Sequence, residues 1–144
     1  MTARREVLIT GVGLLLLRPA TATPDRLRAA LSAFTGGAPL REGRVTLDIA
    51  PLVENGNVVP VHISVSSPMT AADHVRRIAL FTSRNPQPEV LVMQLGPRSG
   101  RAEVATRMRL ATSQQVLAVA ELSDGTFWRQ GLDVIVTLAA CVEG

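Results

Sequence analysis

The sequence is poor in the residues on which most enzyme chemistry depends. Its 144 residues include one cysteine, Cys141, two histidines and no tyrosine or lysine. One cysteine cannot close a disulfide within the chain, and His62 and His74 lack the further ligands that a metal site needs. No glycine-rich phosphate loop and no catalytic-triad spacing is present. We therefore predict neither an autonomous enzyme nor a bound metal or other cofactor.

Aromatic residues make up only 3% of the chain, whereas 47% of the residues are hydrophobic. A length of 144 residues fits a single domain. The core of that domain must therefore consist mainly of Val, Leu, Ile and Ala side chains.

Residues 1–22 have the pattern of an export signal. Arg4 and Arg5 precede an apolar stretch at 7–17, and the Ala-Thr-Ala at 20–22 resembles a cleavage site. The apolar stretch is too short to span a bilayer, so no membrane anchor would remain after cleavage. The paired arginines resemble a twin-arginine signal, with Sec export as the alternative. We predict a periplasmic protein that begins at residue 23.

Cleavage also removes most of the positive charge. The full chain has fifteen basic and twelve acidic residues, and residues 1–22 hold three of the basic ones and one of the acidic ones. The remainder has a net charge of +1, which gives no support for nucleic-acid binding.

The rest of the chain reads as one helix followed by strands. Thr23 and Pro24 are typical of a helix start, and apolar residues then recur with helical spacing at Leu27, Ala30, Leu31 and Phe34. Alternating apolar and polar residues predict strands near 45–49, 59–65, 104–110 and 132–138. Strand-like runs at 74–82, 89–95 and 115–122, separated by turn residues, bring the number of predicted strands to seven. The predicted fold is an all-β, immunoglobulin-like antiparallel β-sandwich preceded by one short N-terminal helix.

Some side chains fall outside the predicted core. Leu117, Val119 and Ile135 lie opposite the core-facing residues of their strands, so they form an apolar patch for a partner unless both sheet faces are buried. Trp128 is interpreted as a packed turn residue, and His62 as a surface residue on the polar side of its strand. Leu138 is assigned to the core face.

Cys141 follows the last predicted strand, in the tail Ala139-Ala140-Cys141-Val142-Glu143-Gly144. Its nearest charge in the sequence, Glu143, is negative, so no neighbour holds the thiol as the reactive thiolate. Activation would have to come from another protein. The pattern is typical of a thiol offered on an arm, although an inert thiol, an intermolecular disulfide or a buried last strand are alternatives.

Several segments together resemble a known family. They are residues 53–61 with their Glu-Asn-Gly-Asn turn, 67–70, 85–88, 106–111 and the terminal cysteine arm. With the export signal and the predicted sandwich, the chain resembles SoxY, the sulfur-carrier subunit of the periplasmic thiosulfate-oxidising (Sox) system.

This resemblance implies a carrier that is not itself an enzyme. It implies a heterodimer with a SoxZ-like β-protein and sulfur intermediates held covalently on Cys141. It also implies that a c-type cytochrome conjugates sulfur to the arm and that a hydrolase releases sulfate from it. The predicted organisation is a signal at 1–22, a sandwich domain at 23–138 and a cysteine arm at 139–144.

The arm differs from the usual family pattern. SoxY arms end Gly-Gly-Cys-Gly-Gly, whereas this one resembles a SoxY-related subgroup with an Ala-Ala-Cys-Ile-Glu arm. Alanine has less backbone freedom than glycine. Either the partner enzymes or the carried group therefore differ from the standard system. The alternative is a non-catalytic binding or assembly module whose cysteine tethers a partner or a metal.

Overall fold

The computed structural model describes residues 22–140, with side chains from residue 25 onward. One helix, α1 (Ala22–Thr35), precedes nine strands. The strands are β1 (Leu40–Glu42), β2 (Val45–Asp48), β3 (Leu52–Val53), β4 (Val59–Val65), β5 (Val75–Thr82), β6 (Glu89–Gln94), β7 (Glu103–Met108), β8 (Gln114–Leu122) and β9 (Phe127–Val136). A single 3₁₀ turn, Pro97–Ser99, joins β6 to β7. The helix begins one residue before the predicted start at Thr23.

The strands form two sheets that pack face to face. The larger sheet has the order β1-β9-β8-β5-β6, with β3 also paired to β9, and the smaller has the order β2-β4-β7. The prediction of an antiparallel all-β sandwich preceded by one helix is confirmed. Its main core lies between the sheets and consists chiefly of Val, Leu and Ile, as expected from the scarcity of aromatic residues.

Strand β4 illustrates how the sequence pattern produces a buried face. Val59, Val61, Ile63 and Val65 are buried, and the residues between them are exposed or half-buried. Successive side chains point to opposite faces of a strand, so the alternation of apolar and polar residues places one face against the other sheet.

The seven predicted strands are present, but two further strands, β1 and β3, were missed. Both pair with β9 in parallel, β1 near its start and β3 near its end. Strands of three and two residues are too short for an alternating pattern to be visible in the sequence. They depend on β9 for their hydrogen bonds.

Helix α1 covers the outer face of the larger sheet. Leu27 and Phe34 are buried against a second cluster that includes Leu117 and Val119. These two residues are 1% and 0% exposed, so the predicted apolar patch is wrong for both. The reason is that α1 packs on them, and burying each such side chain stabilises the fold by about 1.5–3 kcal/mol.

Arg77 fastens the end of the helix to the sheet. Its guanidinium lies 4.1 Å from the centre of the Phe34 ring, and one nitrogen donates a hydrogen bond to the Phe34 carbonyl at 3.0 Å. Its Nε also pairs with Glu121 of β8. Phe34 itself packs edge-on against Phe81 and Phe127, with ring centres 5.6 and 5.8 Å apart.

Two further predictions are corrected by the strand boundaries. Trp128 lies in β9 and not in a turn, because β9 begins at Phe127. Leu138 is 60% exposed and not in the core, because β9 ends at Val136 before the alternation can reach it. Within residues 22–140, no helix is long and apolar enough to cross a membrane.

We predict that Phe34→Ala lowers the free energy of unfolding by about 3–5 kcal/mol, because it removes a buried ring from the helix–sheet contact. Leu31→Ala, at a half-buried position of the same helix, should cost less than about 2 kcal/mol. Urea unfolding followed by circular dichroism measures both values. Equal losses in the two variants would contradict the packing of Phe34.

Candidate functional site

The end of β9 is hydrogen-bonded to the segment around β3. The Ile135 amide donates to the Pro51 carbonyl at 2.8 Å, and the Thr137 amide donates to the Val53 carbonyl at 3.0 Å. Backbone hydrogen bonds to this segment therefore continue to Thr137, one residue beyond the end of β9.

The next residues are held by Gly56 and Leu110. The Gly56 amide donates to the Leu138 carbonyl at 2.8 Å, and the Ala140 amide donates to the Leu110 carbonyl at 3.1 Å. Leu110 and Gly56 are themselves joined, because the Leu110 amide donates to the Gly56 carbonyl at 2.8 Å. Three segments that are distant in sequence thus meet immediately before Cys141. We call this junction of Gly56, Leu110, Leu138 and Ala140 the arm base.

Gly56 has no room for a side chain. A Cβ added there would lie 2.5 Å from the Leu110 carbonyl oxygen, 3.0 Å from the Ala140 nitrogen and 3.0 Å from Cγ1 of Val136. Two of these three atoms belong to the backbone, which cannot rotate away as a side chain can. The glycine is required here for close approach of the three segments.

A side-chain network holds Leu110 in place. The Asn85 side chain accepts a hydrogen bond from the Ala111 amide at 2.9 Å and donates one to the Arg109 carbonyl at 2.8 Å. Gln114, only 6% exposed, donates to the same Asn85 oxygen at 2.8 Å. Leu110 lies between the two bonded backbone groups and is fully buried, so its carbonyl is in a fixed position to bind Ala140.

Most of the segments that carry the family resemblance meet at this junction. Residues 53–61 contribute Gly56, residues 85–88 contribute Asn85, and residues 106–111 contribute Leu110. Residues 67–70 lie elsewhere, since Met69 packs beside the start of β5, where its sulfur accepts a hydrogen bond from the Val75 amide at 3.4 Å.

The predicted site residues fall on both sides of the boundary of the described chain. Cys141, Val142, Glu143 and Gly144 lie outside the described residues. Ala139 is exposed, whereas Ala140 is buried with 6% exposure. Both alanines were assigned to the arm, but the structure fastens Ala140 to the domain. The described backbone is thus fixed up to the residue that is bonded to Cys141.

The two histidines are separated from each other and from the arm base. His62 lies on the outer face of the smaller sheet, 3.8 Å from Glu103, which agrees with its predicted surface position. His74 is near the start of β5, with Nδ1 3.0 Å from the Thr70 carbonyl oxygen. Residues 22–140 contain no group of three His, Cys, Asp or Glu side chains that could hold a metal ion.

One carboxyl group with a shifted pKa, that of Asp124, lies in the turn between β8 and β9. Hydrogen bonds from the hydroxyl and the amide of Thr126 to Asp124 stabilise its carboxylate and lower its pKa. This turn precedes β9, whereas the arm-base residues Leu138 and Ala140 follow β9 at its other end. The aspartate therefore belongs to the turn and not to the candidate site.

Sequence reasoning identified only part of the arm base. The Glu-Asn-Gly-Asn segment was recognised as a turn, which points to Gly56, but not as a contact of the arm. Asn85 and Leu110 lie in segments that carry the family resemblance, but nothing in the local sequence shows that they, or Gln114, support the arm. Asn85 and Gln114 act through hydrogen bonds between residues 24 and 29 positions apart. The Leu110 carbonyl binds the Ala140 amide, 30 positions further along the chain.

Comparison with known proteins identifies the family. The model of the family described as sulfur oxidation protein SoxY matches residues 31–141, a span that includes the arm base and reaches Cys141. The chain belongs to the SoxY family. The sulfur carrier protein SoxY from Chlorobium limicola f thiosulfatophilum is 29% identical, with a TM-score of 0.68, over 81% of this chain and 100% of that one. The resemblance seen in the sequence is confirmed.

Other solved structures share the fold only. A superoxide reductase (neelaredoxin) from Ignicoccus hospitalis is 18% identical with a TM-score of 0.59, covering 65% of this chain and 80% of that one. The superoxide reductase from Nanoarchaeum equitans is 9% identical with a TM-score of 0.57, covering 67% and 100%. The sequence comparison with curated proteins found no match.

We predict that Gly56→Ala destabilises the protein by about 1–3 kcal/mol, because the added methyl group forces the backbone at Leu110 and Ala140 apart. Amide hydrogen exchange at Ala140 should become faster. The matched control is Gly96→Ala, since Gly96 has an extended backbone (φ −149°) and no atom within 4 Å of an added Cβ. If both variants have the same stability and the same exchange at Ala140, the arm base is not a close-packed junction.

Proposed function

We propose that this protein is a periplasmic carrier in the oxidation of thiosulfate or a related sulfur compound, and that it holds sulfur intermediates covalently on Cys141. The family match, which extends to Cys141, supports this role. So does the likeness to a sulfur carrier protein over the whole length of that protein. The observation that carries the proposal is the arm base, where backbone hydrogen bonds hold the chain up to the residue before the thiol.

The proposed chemistry needs a partner that accepts electrons. With thiosulfate, loading joins the outer sulfur to the Cys141 sulfur, breaks the S–H bond, and releases one proton and two electrons. A c-type cytochrome takes the electrons, one per haem at a time. Hydrolysis then breaks the bond between the two thiosulfate sulfurs with one water, releasing sulfate and a proton and leaving a persulfide on Cys141. A hydrolase performs this second step.

The chain itself positions the thiol. Consecutive Cα atoms are about 3.8 Å apart, so fixing Ala140 limits the volume in which Cys141 moves. Groups that activate the sulfur come from the docked enzymes, because reaction requires atoms within about 3–3.5 Å in a defined orientation. Alanines at 139 and 140 restrict the chain further than the glycines of the usual family arm.

We further propose that the carrier pairs with a SoxZ-like β-protein. Family membership supports a partner of the Sox system. Of the apolar patch predicted from the sequence, Leu117 and Val119 are not available to this partner, because α1 covers them, whereas Ile135 is exposed. A partner must use surfaces that the helix leaves free.

Export to the periplasm is part of the proposal. Its support is the pattern at 1–22, where paired arginines precede an apolar stretch and an Ala-x-Ala sequence. Residues 1–21 lie outside the described residues.

We predict that Cys141→Ser abolishes the sulfur adduct while changing the free energy of unfolding by no more than about 0.5 kcal/mol, as for a residue outside the packed core. Mass spectrometry of the C-terminal peptide, after the purified partners have acted on thiosulfate, detects the adduct. Cys141→Ala serves as a second variant without a hydroxyl group. Wild-type protein that stays unmodified while thiosulfate is consumed, or unfolding of both variants, would refute the carrier role.

We predict that replacing Arg4 and Arg5 with lysine blocks export, because the twin-arginine pathway reads the arginine pair itself. Fractionation and N-terminal sequencing of the exported wild type should give Thr23 as the first residue. Undiminished export of the double variant would favour the Sec route, and a soluble folded product that retains residues 1–22 would exclude a cleaved signal.

A further inference from the structure

Exposed apolar side chains are concentrated around the arm base. Six large apolar residues are exposed in the described part of the chain. Two of them, Val92 and Met93, lie on the edge strand β6. The other four lie within five positions of Gly56 or Ala140 in the sequence, and we call them the arm-base patch: Leu52, Val58, Ile135 and Leu138, with exposures of 58, 52, 59 and 60%.

The patch residues lie on the segments whose backbone hydrogen bonds hold Ala140. Leu52 is the register partner of Ile135 in the β3–β9 pair, so the two side chains are neighbours on one face. The Leu138 carbonyl accepts the Gly56 amide, and Val58 follows Gly56 by two residues. The backbone that holds Ala140 therefore also carries these exposed side chains, and Leu52 and Ile135 are the two that are paired with each other.

Helix α1 stops short of this corner of the larger sheet. Leu117 and Val119 lie under the helix, whereas Ile135 of the adjacent strand is open to solvent. Beside Ile135 is a shallow groove of about 360 Å³ whose lining includes Arg84 and Asp133. An exposed apolar group bordered by polar and charged residues is typical of a protein-binding surface.

We propose that the arm-base patch is the docking surface for the enzymes that act on Cys141, and that its occupant is the apolar rim of their active-site cleft. This inference rests on the proposed carrier function. Five covalent bonds separate the sulfur of Cys141 from the Cα of Ala140, and Ala140 is hydrogen-bonded to the domain. A catalytic group must come within about 3–3.5 Å of that sulfur. The rim of its cleft is therefore brought against the surface around Ala140.

A permanent subunit is a poorer occupant of the patch. A SoxZ-like partner, or a second copy of this chain, would cover the surface next to the thiol and exclude each enzyme that must reach it. Successive enzymes instead need a surface that is free between encounters. Four aliphatic side chains form a small apolar centre, which suits short-lived contacts more than an obligate interface.

The test uses Ile135→Asp and Leu52→Asp in the full carrier with its partner subunit. The loading enzyme is the purified sulfur-conjugating c-type cytochrome of the same organism, with thiosulfate as substrate, and the rate of adduct formation is read by mass spectrometry. We expect each variant to raise KM by about tenfold, as for loss of one central apolar contact at an interface, with little change in kcat.

Two controls separate docking from other effects. Val92→Asp places the same charge at an exposed apolar position on β6, and it should leave KM within about twofold of wild type. The small disulfide reagent dithiobis(nitrobenzoate) reacts with a thiol without a docking surface. It should modify Cys141 at equal rates in the patch variants and the wild type.

The outcomes are distinct. A wild-type KM in both patch variants, or an equal rise with Val92→Asp, overturns the docking inference while leaving the carrier function intact. Dissociation of the partner subunit by Ile135→Asp in a sizing experiment also overturns it, because the patch would then be the subunit interface. Failure of the cytochrome to load even the wild type refutes the proposed function itself.

Discussion

The close approach of three backbone segments at Gly56 is the constraint on which the candidate site depends. The glycine binds the Leu138 carbonyl through its amide and the Leu110 amide through its carbonyl, and Leu110 in turn binds Ala140. Any Cβ at residue 56 would collide with this arrangement. Since the contacts are between backbone atoms, the end of the chain is held whatever side chains the arm carries. Ala140, the last described residue, therefore has a fixed position, and the proposed carrier function depends on it.

The packing of α1 decides which part of the large sheet is left for partners. The helix buries Leu117 and Val119, and Arg77 secures its end through Phe34 and Glu121. The face at Ile135 is not covered. A sheet of aliphatic residues thus has one stable, covered region and one apolar corner, and that corner adjoins the arm base. The covered region stabilises the fold, and the exposed corner is the part that we propose for docking.

Much of the architecture was predictable because it follows from the local periodicity of apolar and polar residues. The buried valines and isoleucine of β4, the helical spacing from Leu27 to Phe34 and the order of helix and strands are local patterns. Errors arose where the local pattern was ambiguous. The positions of Leu117 and Val119 show that the outer face of β8 is also apolar, but they do not show which element covers that face. A helix recognisable in the sequence covers them, yet its docking position is a matter of tertiary packing.

The sandwich class, the aliphatic core, the lone Cys141 and the resemblance to SoxY can be read from composition, periodicity and motifs. Three features required the folded chain: Gly56, Asn85, Leu110 and Ala140 meet at one end of the sandwich, α1 buries part of the expected patch, and Leu52 pairs beside the exposed Ile135. These facts depend on contacts between residues that are far apart in the chain. Local periodicity constrains which face of a strand is apolar, but it contains no information about which distant segment will pack against it.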